Sequence, residues 1–303
     1  MRWNTKVLAT GLARQRYAEG LAGPGLRVPA APVHAGLTSR ICRQADIEHD
    51  WLRHWCQALF CYPLYHRKLW EDCFILQALW EAGMLEAGRR GLGFAVGQEQ
   101  LPSLFAARGL EITATDLDAK DRRAHGWAAT GQHGAERLHH PHQVDRAGFD
   151  ARVDQRAVDM RRIPADLRGY DFLWSVCAFE HLGTLERGLD FVCRAMDCLR
   201  PGGVAVHTTE YNLNQAERTL GRGRTVLYQR RHLDALARRL AAEGHTMLPL
   251  DDAGGEGLLD QFVDLPPYEY HPFALGPLHP PHLRLNFRGR IVTSAGIIIR
   301  KAG

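Results

Sequence analysis

The chain has 303 residues, 45% of them hydrophobic, and a net charge of +4. That is enough apolar material for a real core, and the basic residues are interleaved with acids rather than clustered, so nucleic acid is not the expected partner. No stretch nears the ~20 consecutive apolar residues of a membrane span, and the seven cysteines, odd in number and without a CxxC pair, read as small apolar residues of a reduced, cytoplasmic protein.

Residues 1–45 carry Gly-Pro-Gly at 23–25 and Pro-Ala-Ala-Pro at 29–32, and are expected as a flexible arm. Residues 46–88 turn helical. Trp51, Leu52, Trp55 and Leu59, then Trp70, Cys73, Phe74 and Leu76, recur at three- and four-residue spacing and predict two helices broken near Pro63, a region that packs on the core or roofs a pocket as a lid. His66, Arg67 and Lys68 are read as the surface of the second helix.

From residue 89 strands and helices alternate. Strands are predicted at 91–96, 111–115, 153–158, 170–176, 204–208 and 245–250, with a last one at 289–300. Helices are predicted at 99–108, 184–199 and 230–243, the last closed by Gly244. Residues 251–286, rich in Pro, Gly and His, are read as an irregular insertion. The sum is an α/β protein with a Rossmann-like, doubly wound, seven-stranded and mostly parallel sheet, an antiparallel last strand and N-terminal helices.

The functional signal lies at strand ends. Gly97 follows the first strand, and Asp116 closes the second 19 residues later. In doubly wound folds such a turn lets a cofactor approach backbone N–H groups while the acid accepts from ribose hydroxyls. Asp159 and Met160 follow the third strand. Ser175, Glu180 and His181 end the fourth, and His207 and Glu210 end the fifth, on the edge where ligands collect. A His and a Glu there can pair as base and orienter. Trp127, His133, Asp264, Tyr268 and His271 are weaker candidates for pocket lining, and His139, His140 and His142 read as a solvated loop.

In this order the segments resemble the class I S-adenosylmethionine-dependent methyltransferases, over about residues 89–244 and the last strand. Ala114-Thr-Asp116-Leu-Asp118 looks like the family's ribose-binding segment, Val158-Asp159-Met160 like its adenine segment, Tyr170 to Leu182 like its methyl-facing motif, and Leu199-Arg-Pro-Gly-Gly203 like its turn into strand five. The resemblance implies S-adenosyl-L-methionine as cofactor, held by Ala95, Gly97, Glu99, Asp116, Leu117, Asp159, Met160 and Ser175, and catalysis by His181, His207, Glu180 and Glu210. The glycine loop departs from the family: Gly93 stands where an acid is usual, Ala95 and Glu99 where glycines are usual, and Glu99 is the available replacement carboxylate. No metal is expected; if one bound, His181, His207 and Glu210 would be its set. The expected partner is a small-molecule acceptor presenting a hydroxyl or amine, with homo-oligomerisation left open. A nucleic-acid methyltransferase and a non-catalytic scaffold of the same fold are the alternatives.

Overall fold

The computed structural model describes residues 2–22, 28–118, 120–121, 123, 138–268 and 280–303. Trp127, His133 and His271 lie outside the described residues. The segment expected as an arm contains helix α1 (Arg2–Ala22) and a short strand β1 (Ser39–Ile41). The helical region follows as α2 (Gln44–Ile47), α3 (Asp50–Ala58) and α4 (Arg67–Glu81). The break predicted near Pro63 falls between α3 and α4, where a residue fixed by a pyrrolidine ring cannot donate into a helix.

The alternating core then runs β2 (Arg90–Phe94), α5 (Leu101–Ala107), β3 (Glu111–Asp116), α6 (Arg146–Asp150), β4 (Val153–Ala157), β5 (Tyr170–Ser175), α7 (Leu185–Ala195), β6 (Leu199–Asn212) and α8 (Arg230–Ala242). The end of the chain adds β7 (Thr246–Met247), β8 (Leu250–Asp251), β9 (Val263–Asp264), β10 (Arg284–Phe287) and β11 (Arg290–Arg300).

The strand order is β4-β3-β2-β5-β6-β11-β1-β8. β4, β3, β2, β5 and β6 are parallel, and β11 lies antiparallel to β6 from Val292 opposite Asn212 to Arg300 opposite Val204. The chain leaves β2 in one direction through β3 and β4, then returns to β2's other side as β5. That reversal opens a crevice at the carboxyl ends of β2 and β5.

The sheet has eleven strand segments rather than seven. The strand predicted at 245–250 is split: β7 pairs with β11, while β8 pairs with β1. β1 itself lies against β11, Arg40 opposite Gly296, so part of the predicted arm is a strand of the sheet. The insertion is also partly regular. β10 forms a hairpin with β11, and β9 lies beside β10.

Two apolar layers enclose the sheet. One holds Trp51, Trp55, Trp70, Phe74, Phe105, Phe172 and Trp174; the other holds Phe94, Phe179, Phe191, Tyr211, Tyr228 and Leu236. α4 approaches the first face closely because Gly296 has no side chain: a Cβ there would lie 2.2 Å from the Phe74 ring. This contact brings the amino end of α4 over the carboxyl rim of the sheet.

Candidate functional site

At the rim, β2 hands over to a tight turn. Ala95 has φ +52° and Gly97 φ +53°. The left-handed region costs a residue with a Cβ roughly 1–2 kcal/mol, so Ala95 holds a conformation that the glycine usual at this place would adopt freely. Gly97 N–H donates to Asp116 Oδ2 at 3.2 Å, and Leu117 N–H donates to Oδ1 at 2.7 Å. The Asp116 carboxylate is thus turned inward to the β2 turn, at the end of β3 and partly buried. Thr115 Oγ1 donates to Gly93 O at 2.7 Å and secures the two strand ends together.

Gly93 has a structural reason. A Cβ there would sit 2.4 Å from Trp174 Cζ2 and 2.4 Å from Val96 Cγ1, so the space above it is filled by the indole from β5 and the Val96 side chain. Trp174 Nε1–H in turn donates to Glu99 Oε2 at 2.9 Å. The Trp174 indole thus links the Gly93 position to Glu99 at the other end of the turn. Burial, and next the charge of Asp72, raise the Glu99 pKa well above the usual carboxylate range. Burial, and next Glu71's charge, push Asp72 up to about 7, with Lys68 opposing.

Three residues assigned to the cofactor sit differently from expectation. Asp159 accepts from Arg161 Nε at 3.1 Å and from Arg123 Nη2 at 3.0 Å, and it caps its own turn through Arg161 N–H. Met160 is buried in the second apolar layer rather than forming an open face for a purine. Ser175 is fully buried, and its hydroxyl lies 2.8 Å from His207 Nδ1.

His207 is in the core, not at the mouth of the sheet. It is 0% exposed, between the Phe179 and Phe191 rings, and burial lowers its pKa to about 3. It cannot pair with Glu210 as base and orienter. Side chains alternate along a strand, so residues three apart point to opposite faces; Glu210 faces α4 and takes Arg67 Nη2 at 2.8 Å. That spacing was readable from the sequence. The metal set of His181, His207 and Glu210 is broken for the same reason.

Under the amino end of α4 lies a dense polar cluster. Arg67 is 6% exposed, not on the helix surface; its Nη1 donates to Ser294 Oγ at 3.0 Å and lies 3.3 Å from Glu71 Oε1. Glu71, fully buried, also accepts from Ser294 Oγ and from Lys68 Nζ at 3.2 Å. Glu180 is fully buried: Oε2 accepts from Thr209 Oγ1 at 3.1 Å, while Oε1 has no hydrogen-bond partner. Cys177, with φ +42°, is held by donating its N–H to Thr208 O at 3.1 Å. His181 Nδ1 meets Arg224 O at 2.9 Å. Burial would raise the Glu210 carboxyl, but Arg67 and Lys68 outweigh it and hold it below the ordinary value. Burial raises Glu180.

Sequence reasoning read Arg67 and Lys68 as helix surface and did not single out Glu71, Asp72, Trp174, Cys177 or Ser294. The available signal was a run of charges at 67, 68, 71 and 72 inside a helix whose other positions are nearly all apolar. The loop with His139, His140 and His142 is tied to α5 by His140 N–H donating to Ser103 Oγ at 2.9 Å, rather than fully solvated. A cleft of about 210 Å³, lined by His34, Leu37, Glu81, Leu248 and Arg300 among others, opens at the opposite end of the sheet from this rim.

With strand order, reversed last long strand and rim in view, the fold is settled. This is a Rossmann-like α/β fold, a mostly parallel sheet with one reversed long strand. No protein-family model matches the chain, and no curated protein matches it. Among solved structures, the chain is similar to a Galdieria sulphuraria protein named as a sarcosine dimethylglycine methyltransferase, at 13% identity over 96% of this chain and 98% of that one, with a TM-score of 0.47. It is similar to the [4+2]-cyclase SpnF at 16% identity, over 77% of this chain and 82% of that one, with a TM-score of 0.45. A third is Burkholderia thailandensis 1,6-didemethyltoxoflavin-N1-methyltransferase, solved with S-adenosylhomocysteine, at 14% identity, 75% and 79% coverage and a TM-score of 0.40. The fold assignment rests on the sheet's own strand order.

Proposed function

We propose that the chain is an S-adenosylmethionine-dependent methyltransferase acting on a hydroxyl or amine of a small molecule. The observation that carries this reading is the Asp116 carboxylate, held at the end of β3 against the Gly97 N–H beside the crevice. A carboxylate so placed has lone pairs directed for the two hydroxyls of a ribose. The donor set fits the rest of the molecule. Glu99, held by Trp174 at the turn after β2, is the carboxyl group available to the methionine ammonium.

When bound, S-adenosylmethionine supplies a methyl group already activated by its sulfonium. The chain's own residues position the two reactants and exclude water, and well-oriented partners gain ~7–11 kcal/mol from proximity. His181, partly buried next to Glu180, is the candidate to take up the acceptor's proton, because its Nδ1 is engaged by a carbonyl and its Nε2 lies 4.0 Å from Glu180 Oε1. His207 and Ser175 instead stabilise the strand ends beneath. The interleaving of basic and acidic residues along the chain supports a small acceptor over a nucleic acid.

Calorimetric titration with S-adenosylmethionine, S-adenosylhomocysteine and NADH tests the reading. Binding of the first two and not the third is expected. Silence with S-adenosylhomocysteine overturns it; binding without turnover on any hydroxyl or amine acceptor favours the scaffold alternative.

A further inference from the structure

Among the described residues, one group places three metal-competent side chains together: the ligand atoms of Cys177, Glu180 and Glu210 lie within 4.8 Å of one another. We infer that this group is a site for one thiophilic divalent cation, zinc by preference, at the carboxyl ends of β5 and β6. The three come from two strand ends. Cys177 and Glu180 are three residues apart on the turn after β5, and Glu210 arrives from β6, which runs beyond β5 at the rim.

A second feature points to an occupant. Glu180 is entirely buried, yet its Oε1, the oxygen nearer His181, has no hydrogen-bond partner. Leaving a buried acceptor unmade costs about 1–3 kcal/mol, and the other carboxylate oxygen is already fixed by Thr209.

The set is chemically selective. A cysteine sulfur with two carboxylates suits zinc, whereas magnesium and calcium take oxygen ligands. Ligands at 2.0–2.3 Å from a tetrahedral zinc stand roughly 3.3–3.8 Å apart, so the group must draw in by about 1 Å, within the reach of side-chain torsions. Resting on the methyltransferase reading, the ion's task is to bind an acceptor hydroxyl and ease its proton out to solvent; the oxygen's electron pair then forms the O–C bond while the C–S pair stays on sulfur.

The test uses the full chain, stripped with chelator, dialysed against zinc and assayed for bound metal. Cobalt loading is followed by its thiolate charge-transfer absorption, and S-adenosylhomocysteine is titrated on every preparation. One zinc per chain is expected, with a cobalt–thiolate band that vanishes in Cys177→Ser and zinc affinity at least 100-fold weaker in both Cys177→Ser and Glu180→Gln. Circular dichroism and retained S-adenosylhomocysteine binding show that the variants fold; should Glu180→Gln fail to fold, Glu210→Gln takes its place. No stoichiometric zinc in the wild type, or zinc and cobalt binding unchanged by Cys177→Ser, overturns the site while leaving the methyltransferase reading intact. Stoichiometric zinc without S-adenosylhomocysteine binding overturns that reading and keeps the site.

Discussion

The two halves of the rim are built on opposite principles. On the β2–β3 side a turn of small residues is held by backbone donors to a single carboxylate, Asp116. On the β5–β6 side the chain buries Arg67 and Glu71 of α4, tied to β11 through Ser294, and Glu180, held by Thr209 of β6. The first half presents groups to a ligand and adds little to the core. The second satisfies its charges mostly among themselves, and breaking one partner of such a pair leaves the others stranded. Binding and stability should therefore separate cleanly between the halves.

The largest effect expected is on the α4 side. Arg67→Met leaves Glu71 and Glu210 without their guanidinium and should cost about 3–5 kcal/mol of stability, read as a shift in the urea midpoint. Equal stability in wild type and variant would dissolve the contrast. On the cradle side, Asp116→Ala should weaken S-adenosylhomocysteine roughly 100-fold, about 3 kcal/mol, while the urea midpoint moves far less than for Arg67→Met. A large loss of stability there would mean that the carboxylate is a structural brace.

Gly93 sharpens the boundary between the halves. Gly93→Ala forces a methyl against Trp174 and should cost about 1–3 kcal/mol; Trp174→Leu in the same chain should recover part of that loss, and simple additivity would refute the packing account. His207 gives the smallest and most specific effect. Its folded pKa of about 3 lies below the ~6.5 of an unfolded imidazole. Its contribution is therefore complete above pH 6.5 and is lost as pH falls from 6.5 toward 3, about 2 kcal/mol by pH 5. His207→Gln should remove that part of the slope between pH 7 and 5 in urea titrations.

The same contrast explains what could be read from the amino acids alone. Asp116 and Gly97 belong to one strand-turn-strand, so their spacing sufficed. The parallel strands were legible because β2, β3 and β5 are short, apolar and bounded by turns. The α4 cluster joins residues near 67, 177, 210 and 294, and no local pattern links them; Arg67 looks like a surface residue until β11 is placed beneath it. His207 was misplaced because a strand end was assumed where β6 continues to Asn212. β1 was hidden by its length: three residues in a segment rich in Gly and Pro carry no periodicity.

That short strand changes how the chain can be cut. Ser39–Ile41 occupies the side of β11 that faces away from β6 and bridges it to Leu250 and Asp251. A truncation that begins after residue 45, designed to discard a dispensable tail, would strip backbone partners from the longest antiparallel strand and bare an edge able to recruit other chains. Such a product should be recovered as aggregates, whereas a deletion ending before residue 28 spares this seam.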